Sequence, residues 1–115
     1  MFSDVLNSLK QQPIMPYDNA LADRVRHALI LYGGADEREM LGGLMFYQFG
    51  KMRLGIVQDQ LLLRMSPDAA AEALTRNGAD PSGEEKMPGI ITVSPVGHEL
   101  DADLNDWIEL AMRAP

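Results

Sequence analysis

Histidine is the residue type in this chain best suited to proton transfer or metal binding, and the sequence contains two, His27 and His98. A zinc or hydrolytic site would combine histidine with a second histidine or a cysteine at helical or turn spacing. The two histidines are far apart, neither lies in a recognisable zinc or hydrolase motif, and the chain has no cysteine. We therefore expect a structural or solvent-facing role for both, without thiolate chemistry.

Three aspartates near the C-terminal end, Asp101, Asp103 and Asp106, could in principle hold a hard cation. Their spacing lacks the glycine and the distal glutamate of a calcium-binding loop. Acidic side chains at the start of a helix also satisfy its free N–H groups and its dipole. The cluster therefore predicts the beginning of a helix rather than a metal site.

The Gly42-Gly43 pair invites comparison with phosphate-binding loops, which need wider glycine spacing and a following helix. A strand-like run follows instead, so we expect a turn or bulge that leads into a sheet. The chain has no P-loop, no dinucleotide fingerprint and no Gly-x-Ser-x-Gly motif. The sequence thus predicts a protein that is not an enzyme and binds no cofactor or metal.

Composition indicates one ordinary globular domain. The chain has 115 residues, of which 46% are hydrophobic and 23% charged. Its formal net charge of −7 repels phosphate backbones and anionic lipids, so nucleic-acid binding is not expected without a local basic patch. No apolar run is long enough to span a bilayer, and no secretion signal is visible. We expect a cytoplasmic protein that does not bind membranes.

Hydrophobic spacing and turn residues divide the chain into short elements. Ser66 and Pro67 have the residue types of a helix N-cap and first turn. The predicted elements are a short helix over 2–9, a helix over 18–32, strands over 43–49, 52–57 and 61–65, a helix over 66–77, a loop over 76–89, a strand over 90–93 and a final helix that starts at Asp101 or Asp103 and whose apolar stripe is Leu104, Trp107, Ile108 and Ala111. The three central strands must be antiparallel because the gaps between them are so short.

These elements predict an α+β fold. An antiparallel sheet, made of the meander and the later strand, would carry helices on one face in a two-layer sandwich, with the order α-β-β-β-α-β-α. We expect residues 1–14 to form an N-terminal extension with a short helix, and residues 15–115 to form the domain.

Several segments occur in an order and spacing that resemble a known family. They are Tyr17 to Val25, Met40-Leu41-Gly42-Gly43-Leu44-Met45-Phe46, Lys51-Met52-Arg53-Leu54-Gly55-Ile56-Val57, Leu61 to Met65 with Pro67, Met87-Pro88-Gly89, and Asp103-Leu104 with Trp107-Ile108. From Tyr17 to Met112 the chain resembles the N-terminal domain of the TfoX (Sxy) family of competence regulators. The resemblance implies the same helix-over-sheet fold and a stand-alone version of that domain, without the family's C-terminal domain.

The chain also departs from the family's pattern. Arg38-Glu39 stands where members tend to have a basic pair, and Met87-Pro88-Gly89 stands where they often have Met-Lys-Gly. Both departures remove positive charge, which disfavours the transfer of a nucleic-acid role. The first 13 or so residues have no counterpart in the family.

The central meander has apolar residues on both faces, although a two-layer fold covers only one. If Leu44, Phe46, Leu54 and Leu63 face the helices, the opposite surface carries residues of the types enriched in protein interfaces. These interface candidates are Met45, Tyr47, Phe49, Arg53, Leu62 and Arg64. A homodimer or another protein partner could cover them, or the N-terminal helix could do so within the chain, and the sequence leaves both open.

The sequence therefore favours a non-enzymatic interaction or regulatory module that self-associates. One alternative is a transcription-related regulator that contacts nucleic acid through Lys51, Arg53 and Arg64. Another is a small-molecule binder with a cleft near Trp107.

Overall fold

A computed structural model describes residues 17–40, 42–81 and 89–115. The described elements are α1 (Asn19–Leu29), a 3-10 turn (Ile30–Tyr32), β1 (Asp36–Met40), β2 (Gly43–Gln48), β3 (Lys51–Val57), β4 (Gln60–Arg64), α2 (Pro67–Ala73), β5 (Ala79–Pro81), β6 (Ile90–Val93), α3 (Pro95–His98) and α4 (Asp101–Arg113). The predicted helix over 2–9, and with it the proposed N-terminal extension, lies outside the described residues.

The strands form one antiparallel six-stranded sheet with the order β1-β2-β3-β4-β6-β5. One face of the sheet carries the core side chains that pack against the helices, and we call it the inner face. We call the opposite face the outer face. The sheet residues in the core are Leu44, Phe46, Leu54, Ile56, Leu61, Leu63, Ile91 and Val93. The predicted α+β sandwich is confirmed, and so is the orientation assumed for the meander.

Helix α1 begins where the sequence predicts, because the Asp18 carboxylate accepts hydrogen bonds from the backbone N–H groups of Ala20 and Leu21 at 2.9 and 3.2 Å. It ends earlier than expected. After Leu29 the chain tightens into the 3-10 turn, and Gly33 at φ +89° reverses its direction. The predicted extension to Tyr32 is therefore wrong, since that side chain leaves the buried stripe and is 38% exposed.

The two other helices predicted within the described residues are present. Ser66 caps α2 by accepting from the Ala69 N–H at 3.2 Å, although this helix stops at Ala73 instead of reaching residue 77. Helix α4 starts at Asp101. Its stripe is buried as expected, with Leu104, Trp107, Ile108 and Ala111 all at 2% exposure or less.

Three elements were not predicted, and each lacks the usual pattern. Strand β1 reads Asp-Glu-Arg-Glu-Met and is exposed along its whole length, so no apolar alternation indicates it. It forms because it satisfies the backbone of the apolar strand β2. Strand β5 falls inside the expected loop over 76–89, of which residues 82–88 lie outside the described part. Helix α3 is a single turn.

A bulge interrupts the pairing of β2 with β3. Phe46 pairs with Leu54, whereas Tyr47 pairs with Met52, so Arg53 is the extra residue. The strict alternation of faces predicted from the sequence consequently fails at this point.

Candidate interaction surface

Two connecting segments carry four large apolar residues that are exposed, and we call these residues the apolar tip: Ile30, Leu31, Tyr32 and Phe49. Leu31 is 88% exposed, Phe49 87% and Ile30 67%. The two segments are tied together because the Gln48 side-chain amide donates to the carbonyls of Tyr32 and Gly34, at 2.7 and 3.1 Å. These hydrogen bonds fix the two segments relative to each other.

Phe49 has an unfavourable backbone conformation as well as an exposed side chain. It lies at φ +54° and precedes Gly50 at φ +76°, in the two-residue turn that joins β2 to β3. Positive φ at both central positions is the type I′ pattern, which favours Asn-Gly and disfavours bulky residues. Because the ring is 87% exposed, the fold gains little packing from it to offset this backbone strain.

The outer face adjoins the apolar tip through Tyr47, which is half-buried. The Arg38 guanidinium lies 4.2 Å from the centre of the Tyr47 ring, and the Tyr47 hydroxyl is 3.2 Å from the Met40 sulfur. An aromatic ring held between an arginine and a methionine is typical of the residues enriched in protein interfaces.

The predicted interface candidates fall into different environments. Met45 is 1% exposed and lies across Gly55, where a Cβ atom would come within 2.3 Å of its sulfur. Leu62 is half-buried and Arg64 exposed, both in β4. Phe49 belongs to the apolar tip. Tyr47 and Phe49 therefore line one accessible surface, whereas Met45 is buried.

Arg53 does not line the outer face with Tyr47. The bulge turns it towards the C-terminal end of α4, where its guanidinium donates to the carbonyl of Ala114. Its Nε is buried without a hydrogen-bond partner among the described groups. Lys51 and Arg64 lie at the same end of the β3 and β4 pair and are exposed, so the three basic candidates share a region but not a common surface.

A cleft of about 330 Å³ lies near Trp107, as the small-molecule alternative requires. Its lining residues are Arg76, Asn77, Val96, Gly97, Asp103, Asp106 and Trp107. The indole is 2% exposed, its Nε1–H already donates to the Gly97 carbonyl at 2.9 Å, and Arg76 lies 5.3 Å over the ring. The tryptophan thus contributes to the fold and offers little surface to a ligand.

The two histidines differ in their surroundings. His27 is exposed on α1, whereas His98 is buried, with Nε2 at 2.7 Å from the Asp59 carbonyl and Nδ1 without a described partner. Arg24 binds the carbonyls of His98 and Glu99 and the Asp101 carboxylate. Arg24 therefore joins α1 to the start of α4.

Two carboxylates of β1 hold the sheet edge to residues of the helix layer. Glu37 accepts two hydrogen bonds from Arg26, at 2.8 and 2.6 Å, and this contact raises the pKa of the guanidinium. Glu39 accepts from the Tyr17 hydroxyl at 3.0 Å. That hydrogen bond, with a smaller contribution from burial, raises the pKa of the phenol above its ordinary value.

Within 17–40, 42–81 and 89–115, no group of three or more histidine and acidic side chains has a geometry that could hold a metal ion. None of the described helices is long and apolar enough to cross a bilayer. No protein-family model matches the chain, and no curated protein or solved structure is significantly similar to it.

Sequence reasoning singled out Phe49 and Tyr47 but missed Ile30 and Leu31. An available indication was that both fall outside the i, i+4 stripe of α1 and precede Gly33-Gly34 by only two or three residues. Apolar residues beside a helix stop, off the buried stripe, face solvent when the helix ends there.

Proposed function

We propose that this chain is a non-enzymatic interaction or regulatory module, resembling the TfoX N-terminal domain, that forms a homodimer through the apolar tip and the adjoining outer face. The observation that carries the proposal is Phe49, an aromatic residue that is 87% exposed at a positive φ. Selection for stability alone would favour Asn or Gly in that turn. A contact with another molecule gives the ring a role.

The size of the surface supports a second copy as the partner. From their exposed fractions, the four residues of the apolar tip present on the order of 500 Å² of surface. A standard interface needs roughly 800 Å² per partner. Tyr47 and Met40, which adjoin the tip on the outer face, extend it in that direction, and a two-fold axis would place the same residues on both sides.

Charge decides how this association should respond to salt. Each copy carries a formal net charge of −7, so two copies repel each other at low ionic strength. Burial of the apolar tip does not weaken as salt is added. The dimer is therefore expected to strengthen with salt, whereas a nucleic-acid complex through Lys51 and Arg64 would weaken.

The test replaces two tip residues and compares them with a matched pair elsewhere. Leu31→Ser/Phe49→Ser should give a folded monomer by sedimentation equilibrium. Val96→Ser/Leu100→Ser removes two residues that are 55% and 64% exposed at a different site, and should remain dimeric. Equal association of the two double variants and the wild type would refute the tip as the interface.

The proposal also includes where the protein is located and how the nucleic-acid alternative compares with the dimer. The cysteine-free sequence suits a reducing compartment, and we place the module in the cytoplasm on that ground. The nucleic-acid alternative receives less support, because the Arg53 guanidinium is bonded to the Ala114 carbonyl and stands apart from Lys51 and Arg64.

A further inference from the structure

Among the described residues, strand β1 is an edge of the sheet with one side unpaired. It occupies the end of the strand order, and in this part of the chain it pairs with β2 alone. All five residues, Asp36–Met40, are exposed. Its outward backbone N–H and C=O groups are thus accessible, and such an edge can accept an additional strand from another chain.

The charges of β1 disfavour one occupant, a second copy of the same strand, in the registers centred on its charged residues. In a two-fold antiparallel pairing centred on Arg38, the two arginines lie opposite each other and Glu37 faces Glu39. A pairing centred on Glu37 or on Glu39 places that glutamate opposite its own copy. Like charges directly opposite in a sheet are destabilising, so each of these registers is disfavoured.

The charged side chains of β1 also indicate what kind of strand could pair with this edge. Within the described residues, Asp36 has no ion-pair partner, and Glu39 accepts only the Tyr17 hydroxyl, on one of its two oxygens. Glu37, by contrast, is occupied by Arg26. Arg38 is stacked on Tyr47 and needs no acidic partner. The edge therefore offers two carboxylates, three residues apart, to a strand laid beside it.

We infer that β1 binds an extended segment of another protein that carries Lys or Arg at two positions three residues apart. Backbone hydrogen bonds along the edge hold the segment, and the basic side chains face Asp36 and Glu39. The net charge of −7 attracts such a segment at long range. The basic segment contacts Asp36 and Glu39, whereas the apolar tip consists of Ile30, Leu31, Tyr32 and Phe49. The two surfaces are neighbours, because Asp36 lies beside Tyr32 and Phe49.

The probe is the acetylated and amidated peptide TVKTVKT, titrated into the full-length protein labelled with nitrogen-15 at low and at physiological salt. Amide shifts at Asp36–Met40 that saturate are the expected result. The peptide TVETVET should not bind, and TVKTPKT, which has the same charge but lacks one ladder N–H, should bind more weakly. Absence of shifts at β1, or equal binding of TVKTPKT and TVKTVKT, would overturn the inference.

A charge-swap variant separates specific pairing from general attraction. Asp36→Lys should weaken TVKTVKT binding roughly three- to tenfold and improve binding of TVETVET. Asp80→Lys is the matched control, because it makes the same charge change on an exposed residue of β5, at the opposite edge of the sheet. If Asp80→Lys weakens the peptide as much as Asp36→Lys, the attraction is not located at β1 and the inference fails.

Discussion

Replacing Phe49 by Asn should make the protein more stable and at the same time abolish its self-association. The substitution creates Asn-Gly in the β2–β3 turn, where both residues have positive φ. A non-glycine residue costs about 1–2 kcal/mol in the left-handed region, and Asn relieves much of this cost. Since the ring is 87% exposed, little packing is lost. The net expectation is a gain of about 1 kcal/mol in the free energy of unfolding.

For a chain of 115 residues, the entropy of unfolding is about 0.24 kcal/mol per kelvin, so this gain raises Tm by about 4 °C. Circular dichroism melts, at a concentration where both proteins are monomeric, measure the stability, and sedimentation measures association. Gln58→Gly is the control: Gln58 is an exposed residue at φ +56° in the next hairpin. It should change stability by less than about 1 kcal/mol and leave association intact. A destabilised Phe49→Asn, or one that still dimerises, would refute the reasoning.

Three further predictions concern the fold. Trp107→Phe removes the hydrogen bond to the Gly97 carbonyl and part of the side-chain volume in the core. It should lower the free energy of unfolding by about 2–4 kcal/mol, measured by urea unfolding followed by circular dichroism. A loss below about 1 kcal/mol would contradict the packing described. Leu100→Ser supplies the side-chain cap that α4 lacks and should raise the free energy of unfolding by about 0.5–1 kcal/mol, measured in thermal melts. A lower free energy of unfolding would show that the Leu100 side chain contributes packing. The raised pKa of Tyr17 means that its stabilising hydrogen bond to Glu39 is intact below about pH 10 and is lost as the pH rises through the folded-state pKa. Wild-type stability should therefore fall more steeply above that pH than the stability of Tyr17→Phe, and parallel curves would contradict the contact.

The helices and the central strands could be predicted because their residues carry local information. Asp18 and Ser66 are caps, and the stripe from Leu104 to Ala111 has helical spacing, so each pattern identifies one element without reference to the rest of the chain. The antiparallel meander followed from its short connections.

The edge strands could not be predicted, because nothing in their own side chains specifies them. Strand β1 is charged and exposed, and it exists because β2 needs a backbone partner. The bulge at Arg53 likewise depends on how two strands fit, and it moved that side chain away from the surface assigned to it. For the same reason the interaction surface was predicted only in part. The alternation of side chains along β2 indicated Tyr47 and Phe49, whereas the exposure of Ile30 and Leu31 depends on where α1 ends.

The account depends most directly on whether the wild-type chain associates through an apolar contact. Its solution mass should be measured by light scattering on size exclusion, over a range of protein concentrations, at low and at high salt. We expect a monomer–dimer equilibrium that shifts towards the dimer as protein or salt is increased. A monomer at every concentration, or a dimer that dissociates in high salt, would contradict the proposed interface.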